Sequence, residues 1–355
     1  MDEFELIGRY FSRPVDHTAL GVGDDAALID PTPGCQTVVA CDMLVEGVHF
    51  LPGADPRGLG HKALAVNLSD LAAMGARPRQ ALLGIALPEA DAAWLAAFAE
   101  GFAALAAQHG VDWVGGDTTR GPRNLCVTVL GELPPGAALL RSGARPGDEL
   151  WVSGAPGLAA LGLAQLRGDC ALTGAALDAA LARLHTPEPR VALGIALRGV
   201  ASACIDVSDG VLADLGHLLR ASGRAAGAAG SATTDATADS ATPLSAELDW
   251  PALAGPLRAV LQGGTFDDAL LERAVLAGGD DYELLFSAPP AHRQRVVALA
   301  GISGVALERI GRVGAAGTVA ADAAEASGGR AHPAITLIDG GSRTLVAASG
   351  YRHFG

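Results

Sequence analysis

The chain has 355 residues, half of them hydrophobic, and a formal net charge of −14. This length allows two domains of about 100–200 residues each, and the hydrophobic content is enough to bury a sizeable core. A strongly acidic surface repels nucleic-acid backbones. Lys62 is the only lysine, which excludes polybasic membrane patches. We therefore expect a globular protein that binds neither nucleic acid nor a membrane.

The cysteines and the hydropathy pattern predict a cytoplasmic location. The five cysteines are dispersed and form no Cys-x-x-Cys pair, which argues against a disulfide framework and against a zinc ribbon. Reduced thiols fit a cytosolic protein. The first residues are acidic where a signal peptide would be basic, and no stretch reaches the roughly 20 apolar residues of a membrane helix.

Strand and helix patterns alternate along the chain and predict an α/β or α+β protein. In chain order they predict a strand at 37–41 that ends at Asp42, helices at 56–74 and 90–109, a strand at 111–114 before a Gly-Gly-Asp turn, strands at 125–131, 148–153 and 200–205, a helix that ends near Arg220, and a strand at 282–286. Residues 221–246 are of low complexity, and no structure is assigned to them. Proline and glycine clusters at 134–136 and 145–147 mark a boundary, so we predict domains at 1–138 and 139–355.

Aspartates recur at the ends of apolar segments. Any one of them is ordinary turn chemistry, because aspartate favours turns and caps. Their recurrence beside glycines and strand ends indicates a shared carboxylate cluster. The aspartates in question are Asp24, Asp25, Asp42, Asp117, Asp206 and Asp209.

Asp70 extends this pattern, because it lies in the last turn of the predicted helix 56–74. The helix dipole disfavours a negative charge there, and the apolar neighbours predict partial burial. The compensating cation is either Arg77 or Arg79, through a salt bridge, or a metal ion. Two carboxylates 4 Å apart repel by about 4 kcal/mol at an effective dielectric near 20, so a cluster of six requires divalent cations. Oxygen ligands favour Mg²⁺ over zinc, and such magnesium commonly holds phosphates too, which points to nucleotide chemistry.

Two common nucleotide-binding motifs do not apply. The chain has no Gly-x4-Gly-Lys-Ser/Thr segment, and Lys62 lies in Gly-His-Lys, so a P-loop is excluded. The segment Gly21–Ala26 matches the Rossmann glycine spacing by chance, because no predicted strand precedes it and no predicted helix follows.

Five sequence blocks occur in a fixed order and resemble the thiamine-monophosphate kinase family, part of the superfamily that includes aminoimidazole ribonucleotide synthetase. The resemblance runs from the N-terminus to 351–354 and fails only around 221–246 and 315–340. The blocks are Gly21-Val-Gly-Asp-Asp-Ala, Val66-Asn-Leu-Ser-Asp-Leu-Ala-Ala-Met-Gly, Gly115-Gly-Asp-Thr-Thr-Arg-Gly, Ile205-Asp-Val-Ser-Asp-Gly and Gly278-Gly-Asp-Asp-Tyr-Glu-Leu.

The resemblance implies a two-domain α/β (α+β) subunit with the aminoimidazole ribonucleotide synthetase-like fold. The N-terminal mixed sheet would form a barrel with the sheet of a second subunit, giving a homodimer, and a C-terminal α/β domain would follow. The implied reaction is Mg²⁺-dependent in-line phosphorylation of thiamine monophosphate by ATP, the last step of thiamine diphosphate biosynthesis. Because a phosphate acceptor is already largely ionised at neutral pH, no general base is expected, and no catalytic side chain beyond the metal ligands.

The same resemblance assigns roles to individual residues. It implies that Asp25, Asp42, Asp70, Asp117, Asp206 and Asp209 bind several Mg²⁺ ions, that Gly116, Asp117, Arg141 and Ser208 contact ATP, and that His49, Asp280 and Tyr351 hold thiamine monophosphate. Two departures bear on metal number and substrate affinity. Ala40 and Cys41 stand where the family usually has hydroxyl residues, so one hydroxyl ligand is either lost or replaced by a backbone carbonyl such as that of Cys41. Asp280 replaces a more usual glutamate.

Structural and functional alternatives remain at this point. Arg141 could be an ordinary surface arginine, His49 a core histidine and Tyr351 a packing residue. The chain could be another ATP-using enzyme of the superfamily, although no reactive cysteine precedes Gly21 and the sequence closes on Phe354-Gly355 rather than a cysteine. It could also be an inactive homologue that binds magnesium or nucleotide.

Overall fold

The computed structural model describes residues 3–230, 244–261, 267–315 and 333–351. The chain divides into two compact units, one formed by Met1–Ala138 with His185–Val191 and the other by Leu139–Leu184 with Ala192–Gly355. Within the described residues, no helix is both long and apolar enough to cross a membrane.

The first unit contains a four-stranded sheet and two long helices. Its elements are α1 (Glu3–Leu6), a π-helical turn (Ile7–Phe11), β1 (Gln36–Val45), α2 (Pro56–Ala73), β2 (Arg77–Leu87), α3 (Ala92–His109), β3 (Asp112–Arg120) and β4 (Asn124–Leu133). The strand order is β1-β4-β2-β3; β2 and β3 are parallel and the other pairs are antiparallel. The predicted mixed N-terminal sheet is confirmed.

Two predicted strand ends in this unit are wrong. Strand β1 continues through Asp42 to Val45, and Asp42 pairs with Val127 of β4. Strand β3 runs through the predicted Gly-Gly-Asp turn, and Gly116 pairs with Leu83 of β2. Backbone pairing with neighbouring strands supports these residues although their intrinsic strand preference is low.

Helices α2 and α3 pack backbone to backbone through two glycines. Helix α2 begins as predicted, because the Asp55 carboxylate accepts the Gly58 N–H at 2.7 Å. A Cβ atom on Gly60 would lie 2.1 Å from the Phe98 carbonyl oxygen, and one on Gly101 would lie 1.9 Å from that of Arg57. Only glycine permits this approach, which fixes how α2 lies against α3.

The segment His185–Val191 belongs to the first unit although it lies far along the chain. His61 Nε2 lies 2.9 Å from the Pro187 carbonyl oxygen, and Gln108 donates to Glu188 at 3.0 Å. These two contacts attach the segment to α2 and α3.

The second unit contains a seven-stranded sheet with helices packed against it. Its elements are β5 (Glu149–Ser153), α4 (Leu158–Arg167), α5 (Gly174–His185), α6 (Val191–Ala196), β6 (Ala203–Val207), α7 (Val211–Gly230), β7 (Ser245–Asp249), α8 (Trp250–Val260), α9 (Asp268–Ala277), β8 (Glu283–Ala288), a 3₁₀ turn (Pro290–His292), α10 (Arg293–Ser303), β9 (Leu307–Gly314), β10 (Ile335–Asp339) and β11 (Ser342–Val346). The strand order is β11-β10-β7-β9-β5-β8-β6.

The predicted end of the helix after β6 is wrong. Helix α7 continues past Arg220 to Gly230, so the first part of the low-complexity segment 221–246 is helical. Alanine-rich sequence favours helix strongly, and the N-terminal half of α7 is anchored in the core by Leu215 and Leu218, both fully buried. Residues 231–243 of that segment lie outside the described residues.

We expect Gly101→Ala to destabilise the first unit by about 1–3 kcal/mol or more, because its methyl group would overlap the Arg57 carbonyl. Gly301→Ala in α10 is the matched control. No atom lies within 4 Å of the added Cβ there, so the helix should gain up to about 1 kcal/mol. Urea unfolding followed by circular dichroism measures both. Equal stability of the two variants would contradict the proposed helix contact.

Candidate functional site

In the first unit, the structure brings Asp42 close to the helix face that carries Asp70. The Asp42 backbone N–H donates to Asn67 Oδ1 at 2.8 Å, and the Asn67 amide donates to the Ala63 carbonyl at 3.0 Å. Asp70 lies three residues after Asn67 in α2, hence on the same helix face. Both aspartates are partly exposed. Arg79, a predicted alternative partner of Asp70, instead forms an ion pair with Glu132 at 3.0 Å.

Gly116 and Asp117 lie on the opposite outer strand of the same sheet. Asp42, Val127, Leu83 and Gly116 form one row across β1, β4, β2 and β3. Three strand spacings separate the ends of this row, or about 14 Å. A Cβ on Gly116 would lie 1.8 Å from the Leu83 carbonyl oxygen, so glycine is required there, and Asp117 is exposed.

The remaining predicted residues of the first unit occupy turns and the sheet surface. Asp25 is exposed, and its N–H donates to the Asp24 carboxylate at 2.8 Å. His49 Nδ1 accepts the Val45 N–H at 3.0 Å, so its neutral ring carries the proton on Nε2. Cys41 is exposed on β1.

In the second unit, Asp206 lies within β6, and the turn after the strand presents Ser208 and Asp209. Asp206 is 5% exposed and pairs with Leu284 of β8. The N–H groups of Ser208 and Asp209 both donate to Asp214 Oδ2, at 3.0 and 3.1 Å. Asp214, in the first turn of α7, therefore fixes the turn.

The electrostatics of this turn indicate excess negative charge. Burial, followed by the neighbouring Asp206 and Asp209, raises the pKa of Asp214 to about 7, although its two backbone hydrogen bonds lower it. A carboxylate so placed gains from a nearby cation.

Two other stretches of the second unit meet this turn. The Asp280 N–H donates to the Ser208 carbonyl at 3.0 Å, and the Tyr351 N–H donates to the Asp209 carbonyl at 3.1 Å. A Cβ on Gly279 would lie 2.4 Å from the Ser208 carbonyl oxygen, so the two loops are in backbone contact. Four predicted residues (Ser208, Asp209, Asp280 and Tyr351) are thereby brought together.

The loop that carries Asp280 has an unusual backbone. Asp280 and Tyr282 have positive φ angles of 69° and 52°, which non-glycine residues rarely adopt. The Tyr282 N–H donates to the Val207 carbonyl at 2.9 Å, and its hydroxyl donates to Asp280 Oδ1 at 3.1 Å. Tyr282 thus helps to set where the Asp280 carboxylate lies.

A buried charged network lies directly after this loop in sequence. Asp281, fully buried, accepts the N–H groups of Gly157 and Ala159 at the start of α4, at 2.5 and 3.0 Å. Glu283, also fully buried, pairs with Arg183 at 2.9 Å and accepts from Ser153. The strained loop is therefore tied on its C-terminal side to α4 and α5.

Arg141 lies in an exposed loop that α7 holds in place. The Ser222 hydroxyl donates to the Arg141 carbonyl at 3.1 Å and accepts the N–H of Gly143 at 3.2 Å. Burial, then the charges of Arg220 and Arg141, lowers the pKa of His217 on α7. The charge of the Arg141 side chain therefore acts on His217 of α7.

Each unit by itself supplies donors whose chemical type fits a hard cation. The carboxylates of Asp42 and Asp70 in the first unit are oxygen ligands of the kind that Mg²⁺ prefers, and so are those of Asp206 and Asp209 in the second unit. The raised pKa of Asp214 marks negative charge that a cation would offset. Over the described ranges, no three His, Cys, Asp or Glu side chains form a group that could hold a metal ion.

Sequence reasoning missed Asp214, Asp281 and the Arg183–Glu283 pair. Asp214 had a usable signal, because it is an acidic residue in the first turn of a helix that directly follows the aspartate-rich turn. Arg183 had none, since its partner lies 100 residues away in sequence.

The stability of the second unit should fall as the pH rises toward neutrality, partly through Asp281. Burial raises the pKa of Asp281 to about 7, above its unfolded value of about 3.9. The folded state therefore holds the proton more tightly. This contribution is fully present below about pH 4 and is lost as the pH rises through 7, by up to about 4 kcal/mol.

Asp281→Asn should flatten this pH dependence, because the amide does not titrate. Calorimetric unfolding between pH 4 and 8 measures how the stability difference between the two proteins changes with pH. Asp214, whose pKa is also raised, is present in both proteins, so its contribution cancels. A constant difference between the two proteins at every pH would contradict the assignment to Asp281.

Comparisons with known proteins identify the family to which the chain is similar. Residues 23–133 match the model of the AIR synthase related protein, N-terminal domain. The chain is 42% identical over 309 residues to the thiamine-monophosphate kinase of Salmonella typhimurium, covering 85% of this chain and 87% of the relative.

Solved structures agree with the sequence comparison. The crystal structure of thiamine-monophosphate kinase from Stenotrophomonas maltophilia K279a matches with a TM-score of 0.74 and 41% identity, over 88% of this chain and 93% of that chain. AaThiL complexed with AMPPCP and TMP matches with a TM-score of 0.69 and 26% identity, over 94% and 92%. The expected aminoimidazole ribonucleotide synthetase-like fold is confirmed. With a relative of this identity aligned over most of its length, the chain belongs to the thiamine-monophosphate kinase family.

Proposed function

We propose that this protein is a thiamine-monophosphate kinase, which transfers the γ-phosphoryl group of ATP to thiamine monophosphate and releases thiamine diphosphate and ADP. The observation that carries the proposal is the backbone contact of three separate stretches in the second unit. The Ser208–Asp209 turn accepts hydrogen bonds from both Asp280 and Tyr351, and a related structure holds AMPPCP and TMP.

The chemistry requires charge compensation more than proton transfer. The acceptor phosphate is largely ionised at neutral pH, so the main obstacle is the repulsion between two anions. Mg²⁺ bound by Asp25, Asp42, Asp70, Asp117, Asp206 and Asp209 would neutralise phosphate charge and align the reactants. The Cys41 carbonyl would replace a hydroxyl ligand.

The remaining residues would orient the substrates. Gly116 would present its backbone to ATP, and the Leu83 carbonyl fills the space that a side chain there would need. Arg141 would pair its guanidinium with phosphate oxygens, and Ser208 would contact the same nucleotide. His49, Asp280 and Tyr351 would hold the thiamine group, with the tyrosine ring, which is 49% exposed, against its cationic ring.

We further propose that the protein is a cytoplasmic homodimer whose N-terminal sheets join. One face of the sheet in the first unit, which we call the open face, carries Val39, Cys41 and Met43 of β1. Val39 is 62% exposed and Met43 is 52% exposed. Exposed apolar side chains grouped on one sheet face are typical of an interface, and a second copy of the same sheet would bury them.

Asp42→Asn and Asp70→Asn should each lower kcat at least about 100-fold, because each removes a carboxylate charge opposite the phosphates. Asp178→Asn, on the exposed side of α5, is the control and should retain full activity. The assay measures ADP release from ATP with and without thiamine monophosphate. Full activity of Asp42→Asn or Asp70→Asn would exclude the metal role. ADP release that does not depend on thiamine monophosphate would favour another ATP-using enzyme, and no release would favour an inactive homologue.

Val39→Asp should convert the dimer to a monomer, since it places a charge in the apolar interface. Ile302→Asp is the matched control, because Ile302 is 74% exposed in α10 of the other unit. Sedimentation velocity distinguishes the two masses. A wild-type monomer, or a dimer that persists in Val39→Asp, would refute joining through the open face.

A further inference from the structure

Hydrogen bonds fix the backbone of the Asp280 loop on both sides of Asp281. The Asp280 N–H donates to the Ser208 carbonyl at 3.0 Å, and the Tyr282 N–H donates to the Val207 carbonyl at 2.9 Å. Asp281, between them, accepts two backbone N–H groups at the start of α4. The positive φ angles of Asp280 and Tyr282 are therefore maintained by contacts with three surrounding parts of the unit.

Asp280 is the acidic residue of the segment 280–283 that a ligand can reach. Asp281 and Glu283 are fully buried. The Asp281 carboxylate is committed to the start of α4, and the Glu283 carboxylate pairs with Arg183 at 2.9 Å. Asp280, in contrast, is partly exposed. A ligand that approaches this loop with a cationic group would therefore meet the Asp280 carboxylate first.

Tyr282 connects a buried ring to this accessible carboxylate. The residue is 7% exposed, and its hydroxyl donates to Asp280 Oδ1 at 3.1 Å. Hydrogen bonds to a charged acceptor are about twice as strong as those between neutral groups, so this one restricts the side-chain torsions of Asp280. The buried ring thereby determines the direction in which the carboxylate points.

We propose that Tyr282 is a positioning residue that sets the affinity for the thiamine group, because its hydroxyl holds the Asp280 carboxylate in the orientation that binds. The inference rests on the proposed function, in which Asp280 holds that group. A carboxylate that is fixed before binding loses little conformational entropy when the substrate arrives. Tyr282 makes no contact with the substrate in this scheme, so its effect passes entirely through Asp280.

Tyr282→Phe isolates the hydrogen bond, since it removes the hydroxyl and keeps the buried ring. We expect the KM for thiamine monophosphate to rise about 5- to 20-fold, as for the loss of a hydrogen bond to a charged group. The change in kcat should be no more than about 2-fold and the KM for ATP should stay the same, because the thiamine group is not the part that reacts. Steady-state measurements of ADP release give all three constants.

Tyr10→Phe is the matched control. Tyr10 is also buried, at 6% exposed, but lies in the π-helical turn of the first unit. Its loss of a hydroxyl should leave both KM values unchanged. KM does not depend on the concentration of folded enzyme, so partial unfolding of either variant cannot imitate the expected effect.

A double-mutant cycle tests whether the effect passes through Asp280. Asp280→Gly removes the carboxylate, and glycine readily adopts the positive φ angle at this position. It should raise the KM for thiamine monophosphate at least about 10-fold. In that background Tyr282→Phe should change the KM less than about 2-fold, because no carboxylate remains to be positioned. A general packing role of Tyr282 would give the same factor in both backgrounds.

Three results would overturn the inference. They are a normal KM for thiamine monophosphate in Tyr282→Phe, an equal rise in the KM for ATP, and an effect of Tyr282→Phe that persists in Asp280→Gly. A normal KM in Asp280→Gly would reject the binding role of Asp280 and, with it, the role of Tyr282. Wild-type protein that releases no ADP in response to thiamine monophosphate would reject the proposed function, on which the inference rests.

Discussion

The conformation of the turn after β6 depends on how the second unit accommodates the buried carboxylates around it. Asp206 is almost fully buried near the end of β6, and Asp214 is buried in the first turn of α7. The structure holds them together by letting Asp214 accept the N–H groups of Ser208 and Asp209. These bonds offset part of the desolvation of Asp214, but its pKa stays high. The turn is thus organised by a buried carboxyl group whose charged form a nearby cation would stabilise.

The same turn is where distant parts of the chain become neighbours. Its carbonyl groups accept from Asp280 and Tyr351, and the absence of a side chain at Gly279 allows the approach. The strained Asp280 and Tyr282 conformations are sustained by the buried Asp281 and Glu283 that follow them. Strain at such a position is maintained only where the surroundings over-determine it. The candidate substrate residues are therefore positioned by buried charge and backbone contact more than by side-chain packing.

The sequence predicted those features that depend on neighbouring residues, such as the ends of helices. The cap at Asp55 and the left-handed Gly110 that ends α3 were both predictable from residue type. The course of β1 through Asp42 and of β3 through Gly116 was not, because it depends on pairing with strands distant in sequence. The ordered aspartate blocks predicted the candidate site residues. They could not reveal that Asp42 reaches α2 through Asn67, since that contact exists only after the helix packs on the sheet.

The return of His185–Val191 to the first unit has a consequence for biosynthesis. The first unit is not a contiguous piece of chain, because Pro187 and Glu188 complete contacts with His61 and Gln108. During translation the N-terminal sheet and helices emerge well before these residues do. The nascent first unit stays incomplete while the 46 intervening residues, 139–184, are synthesised. A gene fragment that encodes only the first 138 residues would omit this segment. The first unit can therefore be completed only after part of the second unit has been synthesised.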